Sequence, residues 1–85
     1  MKRILLVEDE PAISEMIRFA LEREGYAVDE AADVKDARRM MANKRPDLAV
    51  VDWVLPDISG VDMVRGLRRD ELNRDMPVIM LTARA

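Results

Sequence analysis

Val50-Val51-Asp52-Trp53-Val54-Leu55-Pro56-Asp57-Ile58-Ser59-Gly60 is the stretch whose reading decides the fold. An apolar run ends in a carboxylate, a proline turn follows, and a helix-like pattern opens at Ser59 or Gly60. Asp52 is the only charged residue between Asp47 and Asp57, and it stands where a strand buried on both faces should surface. A carboxylate there can cap a turn, bind a metal or attack an electrophile.

Working outward, the same grammar recurs on both sides. Ile4-Leu5-Leu6-Val7 is a continuous apolar run that stops at Glu8-Asp9-Glu10, and Pro11 suits the first turn of a helix. Ile13, Met16, Ile17, Ala20 and Leu21 then form a helical stripe, with Gly25 placed to cap its end. Ala27 to Ala31 reads as a more polar strand, hence an edge strand. Asp33 is placed to cap a helix with Val34, Ala37, Met40 and Met41 inward. Asp47 to Asp52 is a central strand, and Val61, Val64 and Leu67 predict the inner face of the next helix, weakened at Gly66. Pro77 to Leu81 is a fourth strand ending at Thr82.

Strands alternating with helices imply parallel βαβ units with right-handed crossovers. The predicted fold class is therefore α/β, a doubly wound parallel sheet in the order 2-1-3-4. The first helix lies on one face, and the second and third on the other. Ligands in such sheets bind beyond the carboxyl ends of the strands at the point where the order reverses, here between strands one and three. Glu8 and Asp9 follow strand one, Asp52 ends strand three, and Thr82 follows strand four, so oxygen-bearing side chains converge on one sheet edge.

Composition narrows the chemistry. The 85 residues carry 49% apolar and 36% charged side chains and a net charge of −3, which describes one small globular unit without a basic footprint for nucleic acid. No apolar run approaches a membrane span, no signal-peptide pattern is present, and a cytoplasmic location is expected. The chain has neither cysteine nor histidine, which excludes thiolate and imidazole ligands and Ser-His or Cys-His catalysis. Crowded carboxylates repel unless a cation offsets them, and a hard ion such as Mg²⁺ suits oxygen ligands. The residues alone leave two readings open: solvated turn and cap residues, or a metal site with one nucleophilic aspartate.

Leu6-Val7-Glu8-Asp9-Glu10-Pro11, Asp52 through Gly60, and Pro77-Val78-Ile79-Met80-Leu81-Thr82-Ala83-Arg84 resemble, in order, three signature segments of two-component response-regulator receiver domains. The Asp52-Trp53-Val54-Leu55-Pro56 segment and the Leu81-Thr82-Ala83-Arg84 ending look most like transcriptional regulators of the phosphate-regulon type. The resemblance implies a flavodoxin-like fold in which Asp52 is the phosphoacceptor for a sensor histidine kinase. It implies Mg²⁺ held by Asp9, Asp52 and the backbone carbonyl of Val54, with Glu8 acting largely through water, and Thr82 as a switch hydroxyl. The receiver would be a switch in a phosphorelay and not a free-standing enzyme, and DNA binding would belong to an absent output domain.

Measured against that family, residues 1–85 lack the fifth strand with its phosphate-reaching lysine, and the fourth and fifth helices. The expectation is a fragment of a longer chain, or a species whose exposed sheet is covered by a homodimeric or domain-swapped partner. The alternatives to phosphotransfer are a receiver-fold binding or dimerisation module, and an aspartate-nucleophile phosphatase of another family. The phosphatase resembles Asp-x-Asp, and Val54 occupies its second position here. A nucleotide-binding unit lacks its glycine-rich turn after strand one. The methionines at 16, 40, 41, 63 and 80 are expected in the core, Asp57 in a turn, and Arg65, Arg68 and Arg69 on a solvated helix face.

Overall fold

A computed structural model describes residues 2–81 of the chain. Its elements alternate as β1 (Arg3–Val7), α1 (Pro11–Arg23), β2 (Ala27–Ala31), α2 (Val34–Asn43), β3 (Leu48–Asp52), α3 (Gly60–Arg69) and β4 (Val78–Leu81). All pairings are parallel and the sheet runs β2-β1-β3-β4, the order predicted from the crossovers. In register, Val7 lies beside Ala31 on one side and Val51 on the other, and Asp52 lies beside Leu81.

Local chemistry fixes the ends of the helices. Pro11 occupies the first turn of α1, and at its far end Gly25 adopts φ 93°. The Gly25 amide donates to the Glu22 carbonyl at 3.0 Å and the Tyr26 amide to Leu21 at 3.3 Å, the double bond of a Schellman cap that a glycine makes without strain. Asp33 caps α2 by accepting the Asp36 amide at 2.7 Å, and the Ser59 hydroxyl caps α3 by accepting the Asp62 amide at 3.1 Å.

Strand alternation splits the core between the two faces of the sheet. Leu5, Val7, Ala49 and Val51 pack with Val34, Ala37 and Met41 of α2 and with Met63 and Leu67 of α3. Ile4, Leu6 and Val50 point the other way, toward Ile17 and Leu21 of α1. This second cluster is the smaller, because one helix covers that face where two cover the other. On β4, Ile79 remains 51% exposed, as expected for an apolar strand with an uncovered side.

Two predicted stripes shift. Ile13 and Met16 of α1 are exposed, Met16 at 65%, while Ser14, Ile17 and Leu21 turn inward. The buried line of α3 is Gly60-Met63-Leu67, with Val61 and Val64 half-buried beside it toward Met80. Both helices carry apolar residues over more than one face, so periodicity alone does not select which set meets the sheet. Of the five methionines expected in the core, Met41 and Met63 are buried, Met40 and Met80 are partly buried, and only Met16 stays in solvent. Arg65, Arg68 and Arg69 lie on the solvated face predicted for them, and Arg68 also donates to the carbonyls of Arg74 and Met76 at 2.8 Å, tying down the loop before β4.

Candidate functional site

The carboxyl ends of β1 and β3 bring three of the predicted residues together. Glu8, Asp9 and Asp52 each offer a carboxylate oxygen, all lying within 4.8 Å of one another. Glu8 and Asp52 are buried, at 7% and 9% exposure, whereas Asp9 is open to solvent. The cause is register: Val7 and Val51 are paired, so the next residue of each strand emerges at the same level of the sheet edge. Val54 follows two residues after Asp52 in the loop that leaves β3, with its side chain exposed. The predicted switch residue Thr82 lies outside the described residues.

Burial holds the Glu8 carboxyl above the usual glutamate range, and the neighbouring charges of Asp52 and Asp9 push the same way. The Glu10 amide, donating to Glu8 at 3.0 Å, opposes this without cancelling it. Crowding and burial make the ionised carboxylate less comfortable here than in water, and a cation beside it would relieve both effects. The donor set is all oxygen, partly buried and anionic, so it fits a hard divalent ion of the Mg²⁺ class.

The consequence for stability has a definite sign. The folded protein binds the Glu8 proton more tightly than the unfolded chain does. Glu8 therefore contributes stability that is fully present below the ordinary glutamate value of about 4.3 and is lost as pH rises through its raised folded value. With divalent ions chelated, the urea midpoint of the wild type, measured relative to a Glu8→Gln variant, is expected to fall across that window. Parallel pH profiles for the two proteins would contradict it.

Two further residues fix the loop after β3, and their contacts were not evident from sequence. Asp57, expected as a turn residue, accepts the amides of Val34 and Ile58 at 3.1 and 3.0 Å and that of Lys35 at 3.0 Å. It thereby joins the loop after β3 to the first turn of α2. Gly60 is buried against the backbone of Asp52, its amide donating to the Trp53 carbonyl at 2.9 Å. The Pro-Asp turn and the loop glycine were visible as residues, but their partners lie across a tertiary contact. Trp53 is half exposed beside Asp52.

Comparison with known proteins identifies this arrangement. The model of the response regulator receiver domain matches residues 4–85. The phosphate regulon transcriptional regulatory protein PhoB of Pseudomonas aeruginosa is 48% identical over 83 residues, covering 98% of this chain and 36% of that protein. The DNA-binding dual master transcriptional regulator RpaA of Synechocystis is 42% identical over 83 residues, covering 98% of this chain and 34% of that protein. The chain thus spans about a third of the length of the curated relatives it matches. Among solved structures, the Thermotoga maritima response regulator TrrA, in complex with Mg²⁺ and BeF, superposes with a TM-score of 0.91 at 36% identity, covering 100% of this chain and 72% of that one. A putative response regulator from Chloroflexus aurantiacus reaches 0.95 at 31% identity, covering 99% and 69%.

Proposed function

Because this chain belongs to the response regulator receiver domain family, we propose that it is the phosphoacceptor part of a two-component phosphorelay, with Asp52 receiving the phosphoryl group. The observation that carries the reading is the three-carboxylate cluster of Glu8, Asp9 and Asp52 at the reversal point of the sheet. A carboxylate oxygen of Asp52 attacks phosphorus as the bond to the donor breaks, giving an acyl phosphate on Asp52 and a free donor group. The donor in this reading is the phosphohistidine of a sensor histidine kinase, and the P–N bond is the one that breaks.

Asp9, Asp52 and the Val54 carbonyl would hold Mg²⁺, with Glu8 acting through water. When bound, the ion offsets the charge that the cluster and the incoming phosphoryl oxygens would otherwise bring together. Burial of Asp52 and Glu8 keeps the nucleophile and its neighbour out of bulk water. Thr82 is the proposed switch hydroxyl. Residues 1–85 are read as the first part of a receiver domain in a cytoplasmic regulator whose transcriptional output, and any contact with DNA, lie in other parts of the protein. Among the described residues no helix is long and apolar enough to cross a membrane.

The test is intact-mass analysis after exposure to a small-molecule phosphodonor, with Mg²⁺ and with a chelator. One phosphoryl group gained only when Mg²⁺ is present is the expected result. A chain that binds Mg²⁺ but gains nothing favours the second reading, a receiver-fold module that assembles with another copy. Ile79 on the uncovered side of β4 supports that alternative. A symmetric dimer indifferent to phosphodonor would decide for it.

A further inference from the structure

We propose that Asp57 is a positioning residue for the divalent-cation site: its carboxylate ties the loop after β3 to the first turn of α2, and so presets the Val54 carbonyl and Asp52 for the ion. The inference rests on reading Glu8, Asp9 and Asp52 as a Mg²⁺-dependent phosphoacceptor site.

Helix α2 is already capped from within, since Asp33 accepts the Asp36 amide at 2.7 Å. The amides of Val34 and Lys35, two and one residues further back, face solvent in most helices and bond to water at little cost. Here both are taken by a carboxylate 23 and 22 residues away in sequence. Asp57 completes the set by accepting the Ile58 amide within its own loop. The helix has its own cap besides this tie, whereas the loop gains a fixed anchor from it. Together these amides hold the Asp57 carboxyl below the ordinary aspartate range, the Val34 amide contributing most among them.

Topology explains why the tie bears on the metal site. In the order β2-β1-β3-β4, the loop after β3 and the start of α2 flank the end of β1, where Glu8 and Asp9 lie. A bond from one flank to the other therefore borders the carboxylate cluster on the face covered by α2 and α3. The same loop is fixed elsewhere by the Trp53 amide, which donates to the Leu81 carbonyl at 2.9 Å, by the Gly60 amide, which donates to the Trp53 carbonyl at 2.9 Å, and by burial of the Leu55 side chain. Asp57 supplies the anchor toward β2. Without it the ion must order the Val54–Ile58 segment as it binds, and ordering backbone opposes binding.

The experiment is a Mg²⁺ titration followed by Trp53 fluorescence, the chain's only tryptophan and the residue next to Asp52. It is combined with amide hydrogen exchange at Val34, Lys35 and Ile58. Asp57→Ala is expected to weaken Mg²⁺ binding roughly tenfold, the low end for residues that orient a metal's ligands, with faster exchange at all three amides. Asp57→Asn keeps the Oδ1 acceptor for Val34 and Ile58 but loses the charge and the Oδ2 acceptor. It is expected to retain most of the affinity and to lose protection mainly at Lys35. Equal weakening in both variants would assign the effect to charge alone and overturn the positioning role, as would wild-type affinity in Asp57→Ala. If Asp57→Ala does not fold, Asp57→Glu decides, since it keeps the charge but displaces the carboxylate: weaker Mg²⁺ binding with faster exchange at Val34, Lys35 and Ile58 supports the proposal, and wild-type affinity despite that faster exchange overturns it. A wild-type protein without any Mg²⁺ response would overturn the reading of the carboxylate site and this inference with it.

Discussion

Replacing Asp52 with asparagine is expected to abolish phosphoryl uptake and, in the absence of metal, to make the protein more stable. The first effect follows from chemistry. An amide oxygen does not attack phosphorus to leave a stable acyl phosphate, and Glu8 and Asp9 stand on the neighbouring strand's end, not at the end of β3. Intact-mass analysis should show no gain in Asp52→Asn under conditions that modify the wild type. A full gain in the variant would move the nucleophile elsewhere and sink the proposed function.

The second effect follows from electrostatics. Three carboxylate oxygens lie within 4.8 Å of one another, and two of the side chains are buried. At that separation a like-charge pair costs about 1 kcal/mol even at the dielectric of water, and more where solvent is partly excluded. Neutralising Asp52 therefore stabilises the metal-free fold by roughly 1 kcal/mol, readable as a higher urea midpoint at neutral pH. Mg²⁺ should reverse the order, raising the midpoint of the wild type more than that of Asp52→Asn, because a ligand stabilises in proportion to its affinity for the folded state. Opposite signs for stability and uptake are the mark of a charge cluster retained for function at some expense in stability. A turn or cap aspartate would give the reverse, a loss of stability on substitution.

The parts of this molecule legible in its sequence are those set by local pattern and by topology. The continuous apolar runs of β1 and β3, the polar edge strand β2 and the glycine after α1 all act within a few residues, and each formed as predicted. The convergence of Glu8, Asp9 and Asp52 was legible for a different reason: the handedness of crossovers fixes which strand ends are neighbours, without knowledge of any side-chain contact. What remained hidden depends on how helices seat on the sheet. The phase of α3, with Met63 and Leu67 inward and Val61 and Val64 aside, is decided by packing among several apolar choices. Exposure of Met16 depends on how much of α1 one sheet face can cover. The Asp57 tie spans more than twenty residues, and Arg68 reaches carbonyls six and eight residues away, so neither partner is marked by spacing.

Gly60 makes the same point with a large expected effect. Its backbone is not in the left-handed region, since Gly25 is the only described residue with positive φ, so conformational freedom is not what the position requires. It requires space. A Cβ at residue 60 would lie 2.0 Å from the Asp52 carbonyl oxygen, 3.0 Å from its carbon and 3.2 Å from the Met80 methyl. The obstacle is backbone, which cannot rotate away as a side chain can, so Gly60→Ala must push α3 off the end of β3. Overpacking costs about 1–3 kcal/mol, and a clash with backbone stands at the upper end of that range, against a total for 85 residues on the order of 4–13 kcal/mol. Gly66, in the same helix, provides the internal control. Its Cβ would meet only an Arg38 guanidinium nitrogen at 3.5 Å, an ordinary contact, so Gly66→Ala should stabilise by roughly 0.5–1 kcal/mol through helix propensity. The urea midpoint is expected to drop sharply for Gly60→Ala and to rise for Gly66→Ala, and a similar shift in both would refute the steric account. Because the displaced atom is the carbonyl of Asp52 itself, Gly60→Ala molecules that remain folded should also take up phosphoryl groups more slowly than the wild type.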